Sequence, residues 1–219
     1  MATIKRVIKA YVDYFTKGDA GDAGLVEAEF YSIGLNPQVE AKLQDFIGYY
    51  PTINLEQLSQ LPEGTLGYEY AQHMQECGIQ PLEISQDLQK EADKNPFALR
   101  YIVTHDIFHI LLGFDVSYAG EVGVFAFTVG QNYSKMLNLI YPLVLLISCI
   151  IAPTQIKKTF ANNRRGKILG KQAECLLVYR FEENWARPIE DIRKELGLVL
   201  EGDELDTSRG SQQRGSIAA

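Results

Sequence analysis

The stretch from Arg100 to Gly113, RYIVTHDIFHILLG, makes two demands that few folds meet together. At about 100° per residue, Ile102, Ile107, Phe108, Ile110, Leu111 and Leu112 encircle a helix, so the helix is a buried one. Yet the same turns carry His105, Asp106 and His109. Each polar group buried without a partner costs roughly 2–7 kcal/mol, and one cation can partner all of them. With His105 at 0°, His109 falls at about 40° and Asp106 at about 100°, so the three converge from one arc. Glu121 follows His109 after eleven residues. Gly113 predicts a helix end, Phe114 to Ala119 a short connection, and Gly120-Glu121 the opening of a second helix that brings a fourth ligand back to the first three.

Two histidines with two carboxylates and no thiolate suit a divalent metal, zinc first and then iron, manganese or magnesium, better than a cysteine-built structural zinc clip. The pattern differs from His-Glu-x-x-His, in which the Glu is a protease base; Asp106 is shorter and reads as a ligand or as an orienter of ligands. A His-x-x-x-His pair on a helix also arises among ordinary core and surface residues. The added carboxylates, and the placement here of two of the three histidines, favour the metal.

With 219 residues, 46% hydrophobic and 22% charged, the chain is long enough for one sizeable core. Cys77, Cys149 and Cys175 are odd in number and far apart, which indicates no disulfide framework and a reducing compartment. Helical periodicity with Gly and Pro breaks predicts an all-α fold: helices near 3–17, 24–33, 37–49, 54–60, 65–77, 100–113, 120–132, 136–151, 154–165, 174–185 and 189–196. The first of these interleaves Lys5, Arg6 and Lys9 with Ile4, Val7 and Ile8, as a core-packing amphipathic helix does and a signal peptide does not. One helical domain over 1–200 and a disordered polar tail over 201–219 are expected. No glycine-rich phosphate loop is present, and no nucleic-acid partner is expected.

Charge is unevenly spread. No acidic residue lies between Glu121 and Glu174, and Lys135 is the one charge from Val122 to Ile156. Lys157, Lys158, Arg164, Arg165, Lys167 and Lys171 follow, so a protein of net charge −7 has 15 basic residues against 28 acidic ones elsewhere. An apolar region followed by a cationic one suits a lipid with an anionic head or an anionic membrane surface. The run MLNLIYPLVLLISCIIAP is broken by Pro142, and its densest part is shorter than the roughly 20 residues of a transmembrane helix. It reads first as a buried core helix and second as the wall of a lipid pocket or a membrane-contacting face.

The segment THDIFHILLGFDVSYAGEV resembles the signature of the coenzyme Q (ubiquinone) biosynthesis protein four family. LPEGTLGYEYA at 61–71 and YRFEENWARPIEDIRKELG at 179–197 extend the resemblance over most of the chain. It implies an all-α fold with an apolar groove for polyprenylated quinone precursors, and a metal, usually zinc, on His105, Asp106, His109 and Glu121. It also implies peripheral membrane association and a part in organising other quinone-biosynthesis enzymes. Members are credited with replacing the C1 carboxylate of a polyprenyl-hydroxybenzoate by hydroxyl. Without an evident presequence the chain looks like a bacterial member, expected in the cytoplasm at the inner membrane surface. The prenyl tail is expected along Val122 to Ile151, with Arg164, Arg165 or Lys167 at the acidic head and a homodimer as a further expectation.

Two other readings stand beside this one. The first is a metal-dependent phosphohydrolase of a prenyl phosphate, built on the adjacent His105-Asp106 pair with His73 as a distant ligand; polar neighbours make His73 look instead like a surface histidine. The second is a non-catalytic lipid-binding scaffold with a structural metal, favoured by the lack of an evident general acid beside the four ligands.

Overall fold

The computed structural model of the protein describes residues 20–49, 51–82, 89–90 and 93–200; the expected 3–17 helix and 201–219 tail lie outside the described residues. The described chain is helical, with no strand among the described residues and two isolated bridges, Leu35 to Ser134 and Thr65 to Pro188. Its helices are α1 Ala20–Tyr31, α2 Pro37–Leu43, α3 Leu55–Leu58, α4 Leu66–Cys77, α5 Pro96–Val103, α6 His105–Leu112, α7 Tyr118–Gly130, α8 Lys135–Ile151, α9 Ile156–Gln172 and α10 Ile189–Glu195. Most start on a side chain that accepts a free backbone N–H: Asn36, Asn54, Thr65, Asn95, Ser117 and Ser134. Left-handed Gly78 and Gly113 end α4 and α6.

The main core gathers Leu66, Tyr70 and Met74 of α4, Ile107, Phe108 and Leu111 of α6, and Phe127 of α7 with residues of α2, α9 and α10. A smaller cluster packs Leu25 and Ala28 of α1 on Ala98, Leu99 and Ile102 of α5. The closest approach joins α7 and α9, which run side by side in the same direction. A Cβ at Gly166 would lie 2.2 Å from the Gly123 carbonyl oxygen, and one at Gly170 would lie 2.3 Å from that of Phe127. Side chains bridge both ends: Asn162 donates to the Ala119 carbonyl, and Gln131 to the carbonyls of Gly170 and Ala173.

Three expectations are corrected. The helix expected over 100–113 breaks at Thr104, whose hydroxyl donates to the Arg100 carbonyl 2.6 Å away, a back-bond that bends helices. The segment 174–185 forms two short 3-10 turns at Leu176–Val178 and Phe181–Glu183. The carbonyls of Leu177 and Tyr179 accept instead from Arg100, which is wholly buried and paired with Glu182 at 2.6 Å. Third, α8 is not a buried core helix. It buries Leu137, Tyr141 and Ser148 but exposes Leu139, Leu143, Leu146, Ile147 and Ile150, which share an arc of about 100° on the opposite side. No single helix among the described residues is long and apolar enough to cross a membrane; α8 and the 153–172 segment pass that test only as a pair bent by 108°.

Because the added methyl would meet backbone, Gly166→Ala should destabilise the fold by about 1–3 kcal/mol, read as a lower urea midpoint with an unchanged slope.

Candidate metal centre

The site is built by one sharp reversal of the chain. Gly113, at φ +63°, ends α6 and turns the Phe114 carbonyl back toward it. The connection then runs so close under α7 that a Cβ on Gly120 would lie 1.7 Å from the Asp115 carbonyl oxygen, a position only glycine fits. Ser117 caps α7 by accepting from Gly120 N, and the Gln155 side chain accepts from Ala119 N. The first turn of α7 is thereby fixed, and Glu121 faces α6.

One donor atom each of His105, His109 and Glu121 lies within 4.8 Å of the others. His105 Nε2 is 3.2 Å from His109 Nε2 and 3.2 Å from Glu121 Oε2, and His109 Nε2 is 3.3 Å from Glu121 Oε1. A carbonyl oxygen can only accept, so the 3.1 Å contact of His109 Nδ1 with the Phe114 carbonyl puts the proton on Nδ1 and leaves Nε2 as an acceptor. The Glu121 carboxylate is also an acceptor. Lone pairs therefore converge, and the cluster needs a proton or a cation at its centre. Bonds of about 2.0–2.1 Å at tetrahedral angles place neighbouring ligand atoms about 3.3 Å apart, so the spacings fit a metal.

The electrostatics report the same convergence. Burial works against charge on Glu121, but hydrogen bonding with His105 leads the effects that outweigh it and hold the carboxyl well below the usual range. Burial likewise opposes charge on His105, and the Glu121 contact overrides it and raises the imidazole. A proton on His105 occupies the position that a metal would neutralise.

Asp106 stands outside the three-atom cluster. On α6 this carboxylate projects about 100° round from His105, toward α4, where Oδ1 is 3.9 Å from His73 Nε2. His73 is accordingly not the surface histidine its polar neighbours suggest. Its ring stacks on His109, centroids 6.0 Å apart at 19°, and its buried Nε2 has no hydrogen-bond partner among the described residues, a deficit of about 1–3 kcal/mol. The signal lay in α4 itself: Leu66, Tyr70 and Met74 are its buried stripe, and His73 borders it.

A cavity of about 340 Å³ opens beside the cluster, bounded by α1, α5, α6, α7 and α8. Its apolar wall includes Ala28, Leu82, Ile102, Val122, Phe125 and Val144; Tyr31, Tyr101 and Ser148 add hydroxyls. Glu27, Asp106 and Glu121 also line it, with no Lys or Arg among the described lining residues. Sequence reasoning missed the share of α1, because nothing local marks Glu27 and Tyr31 for a pocket eighty residues away.

None of the three cations expected at a ligand head is among the residues that line this cavity. Arg165 Nη2 donates to the Leu112 carbonyl at 2.6 Å, and its guanidinium lies over the Phe114 ring, which caps the last turn of α6. Lys167 lies over Tyr141 at 4.1 Å, and Arg164 is exposed.

A family model described as coenzyme Q (ubiquinone) biosynthesis protein Coq4 matches residues 49–201. The ubiquinone biosynthesis protein COQ4 homolog, mitochondrial, of Danio rerio is 29% identical over 151 residues, covering 67% of this chain and 54% of that protein. The Rattus norvegicus homolog is 25% identical over 154 residues, 67% and 55%; the Coprinopsis cinerea protein is 24% identical over 165 residues, 72% and 54%. The chain thus spans about half the length of the curated relatives it matches. A crystal structure from Nostoc punctiforme, of a chain assigned to ubiquinone biosynthesis, superposes with a TM-score of 0.61 at 23% identity over 91% of this chain and 100% of that one, a likeness of fold.

Arg165→Ala should lower stability by about 1–3 kcal/mol in urea titration and leave binding of a prenylated aromatic acid unchanged. Lost binding in a folded variant would return Arg165 to the ligand head.

Proposed function

The chain belongs to the coenzyme Q biosynthesis protein Coq4 family, whose role is in ubiquinone biosynthesis, and we propose that it binds a polyprenylated aromatic precursor with the ring at a metal held by His105, His109 and Glu121. The carrying observation is the set of ligand-like spacings, 3.2, 3.2 and 3.3 Å, at the wall of an apolar cavity. Three protein ligands leave a coordination position open, as catalytic sites do. Zinc is the first choice and iron the second, since two histidines with one carboxylate also make the usual non-haem iron triad. The acids lining the cavity add weight, because an anionic ring would be repelled by Glu27, Asp106 and Glu121 unless a cation stood among them.

The proposed reaction is loss of the C1 carboxyl of a polyprenyl-hydroxybenzoate. The carboxyl leaves as CO₂, one atom of O₂ becomes the ring hydroxyl, and a two-electron donor with two protons reduces the other atom to water. When bound, the metal supplies a Lewis acid for the phenol or carboxylate oxygen. The chain's own part is positional. The Phe114 carbonyl fixes the His109 tautomer, Ile102, Val122 and Phe125 keep water from the ring, and Val144 of α8 guides the tail. About 340 Å³ is at the small end of the range for ligand pockets, so the head and the first part of the tail fit inside and the rest emerges.

The exposed leucines and isoleucines of α8, continued by Phe160 and flanked by exposed Lys157 and Lys158, are the proposed face toward an anionic membrane surface and toward other quinone-biosynthesis enzymes. The phosphohydrolase reading loses ground, because His105 is joined by His109 and Glu121 while Asp106 and His73 stand aside. The scaffold reading keeps its force, and turnover separates it from the enzyme.

Purified protein should hold about one zinc, iron or manganese per chain by mass spectrometry, lost in His109→Ala, and should release CO₂ from a prenylated hydroxybenzoate given O₂ and a reductant. Bound metal and lipid without CO₂ would establish the scaffold; no metal in the parent protein would remove the metal reading. Separately, Leu143→Glu with Ile150→Glu should abolish sedimentation with vesicles containing anionic phospholipid while leaving metal content unchanged.

A further inference from the structure

His73 has no part in the three-ligand cluster, yet two independent contacts tie it there. Its ring lies nearly parallel to that of His109, whose other neighbours are the Phe114 carbonyl at Nδ1 and the cluster at Nε2. Its Nε2 is buried, without a hydrogen-bond partner among the described residues, and 3.9 Å from Asp106 Oδ1, a gap that a small rotation of either side chain closes. Asp106 follows His105 directly and borders both the cavity beside the cluster and a second one of about 250 Å³ that reaches Tyr70 and Glu182. An unrestrained carboxylate there could swing to either side.

We propose that His73 is a positioning residue of the metal centre: its Nε2–H holds the Asp106 carboxylate in place behind His105 while its ring face braces His109. The inference rests on the metal reading above. It goes further by giving the half-buried imidazole of α4 a partner and a task, and by having α4 steer the carboxylate that follows His105. The Tyr70 and Met74 side chains, buried against the core on either side of His73, keep α4 from moving and so keep the brace rigid.

Two variants separate the donor from the ring. His73→Phe retains a flat ring against His109 and removes the N–H; His73→Gln retains an N–H and removes the ring. Metal affinity is measured by competition with a chromophoric chelator, together with the visible spectrum of the cobalt-substituted protein and thermal melting followed by circular dichroism. His73→Phe should melt near the parent, bind metal about ten- to a hundredfold more weakly and shift the cobalt bands, and His73→Gln should recover most of both. Parent-like affinity and spectrum in both variants would overturn the inference while leaving the centre intact. Complete loss of metal from both folded variants would make His73 a ligand and overturn it from the other side. A parent protein that binds no metal fails the earlier reading instead, so the two failures are told apart.

Discussion

Glu121 reaches the histidines because α7 and α9 lie against each other with almost no side chain between them. Gly130, Gly166 and Gly170 bring backbone to backbone, and the carbonyls of Gly123 and Phe127 occupy the space that methyl groups on Gly166 and Gly170 would fill. This packing fixes the height of α7, and Ser117, Gln155 and Asn162 fix its first turn. Were α7 to ride higher on α9, the carboxylate would leave hydrogen-bonding range of His105 and His109, where it now sits at 3.2 and 3.3 Å. The glycines of one helix pair thus set the geometry of a site to which they contribute no functional group.

That geometry creates an electrostatic problem with few solutions. His109 is fixed as an acceptor by the Phe114 carbonyl, Glu121 can only accept, and His105 can bridge them only by carrying a proton. The cavity beside them adds Glu27 and Asp106, with no Lys or Arg among its described lining. Without a metal, the proton on His105 answers part of the problem, in keeping with its raised affinity for protons and the depressed one of Glu121. A divalent cation answers all of it. Three arginines packed around α5 and α6 are committed elsewhere: Arg165 to the end of α6, Arg193 to the carbonyls of Ile110 and Leu111, Arg100 to Glu182.

Much of this was legible in the sequence where the signal is local. The all-α class followed from periodicity, most helix ends from Gly and capping residues, and the meeting of His105, His109 and Glu121 from helical spacing and Gly113. What stayed hidden depends on partners distant in the chain. Asp106 sits at the edge of the arc that holds the histidines, and only the packing of α4 against α6 shows that His73 is its neighbour. The 174–185 segment has helical periodicity, yet Arg100 takes its carbonyls. The run around Leu143 reads as core, and only the fold shows which of its faces is left uncovered.

That uncovered face and the cavity are two sides of one helix. Val144 and Ser148 of α8 line the pocket, while Leu143, Ile147 and Ile150, one or two residues away, face outward. A single helix thickness therefore separates the proposed binding site of a prenylated ring from the proposed membrane face. Pro142 lies on this helix just before that region; lacking an N–H, it leaves one carbonyl of the preceding turn without its helical partner and loosens the wall there. A lipid too long for about 340 Å³ must leave the pocket somewhere. Its cheapest path keeps the chain out of water throughout, along the side of α8 from the inner face to the outer one. On the proposed reading, the apolar surface and the small volume of the pocket are one adaptation: the protein encloses the reacting ring, and the membrane keeps the tail.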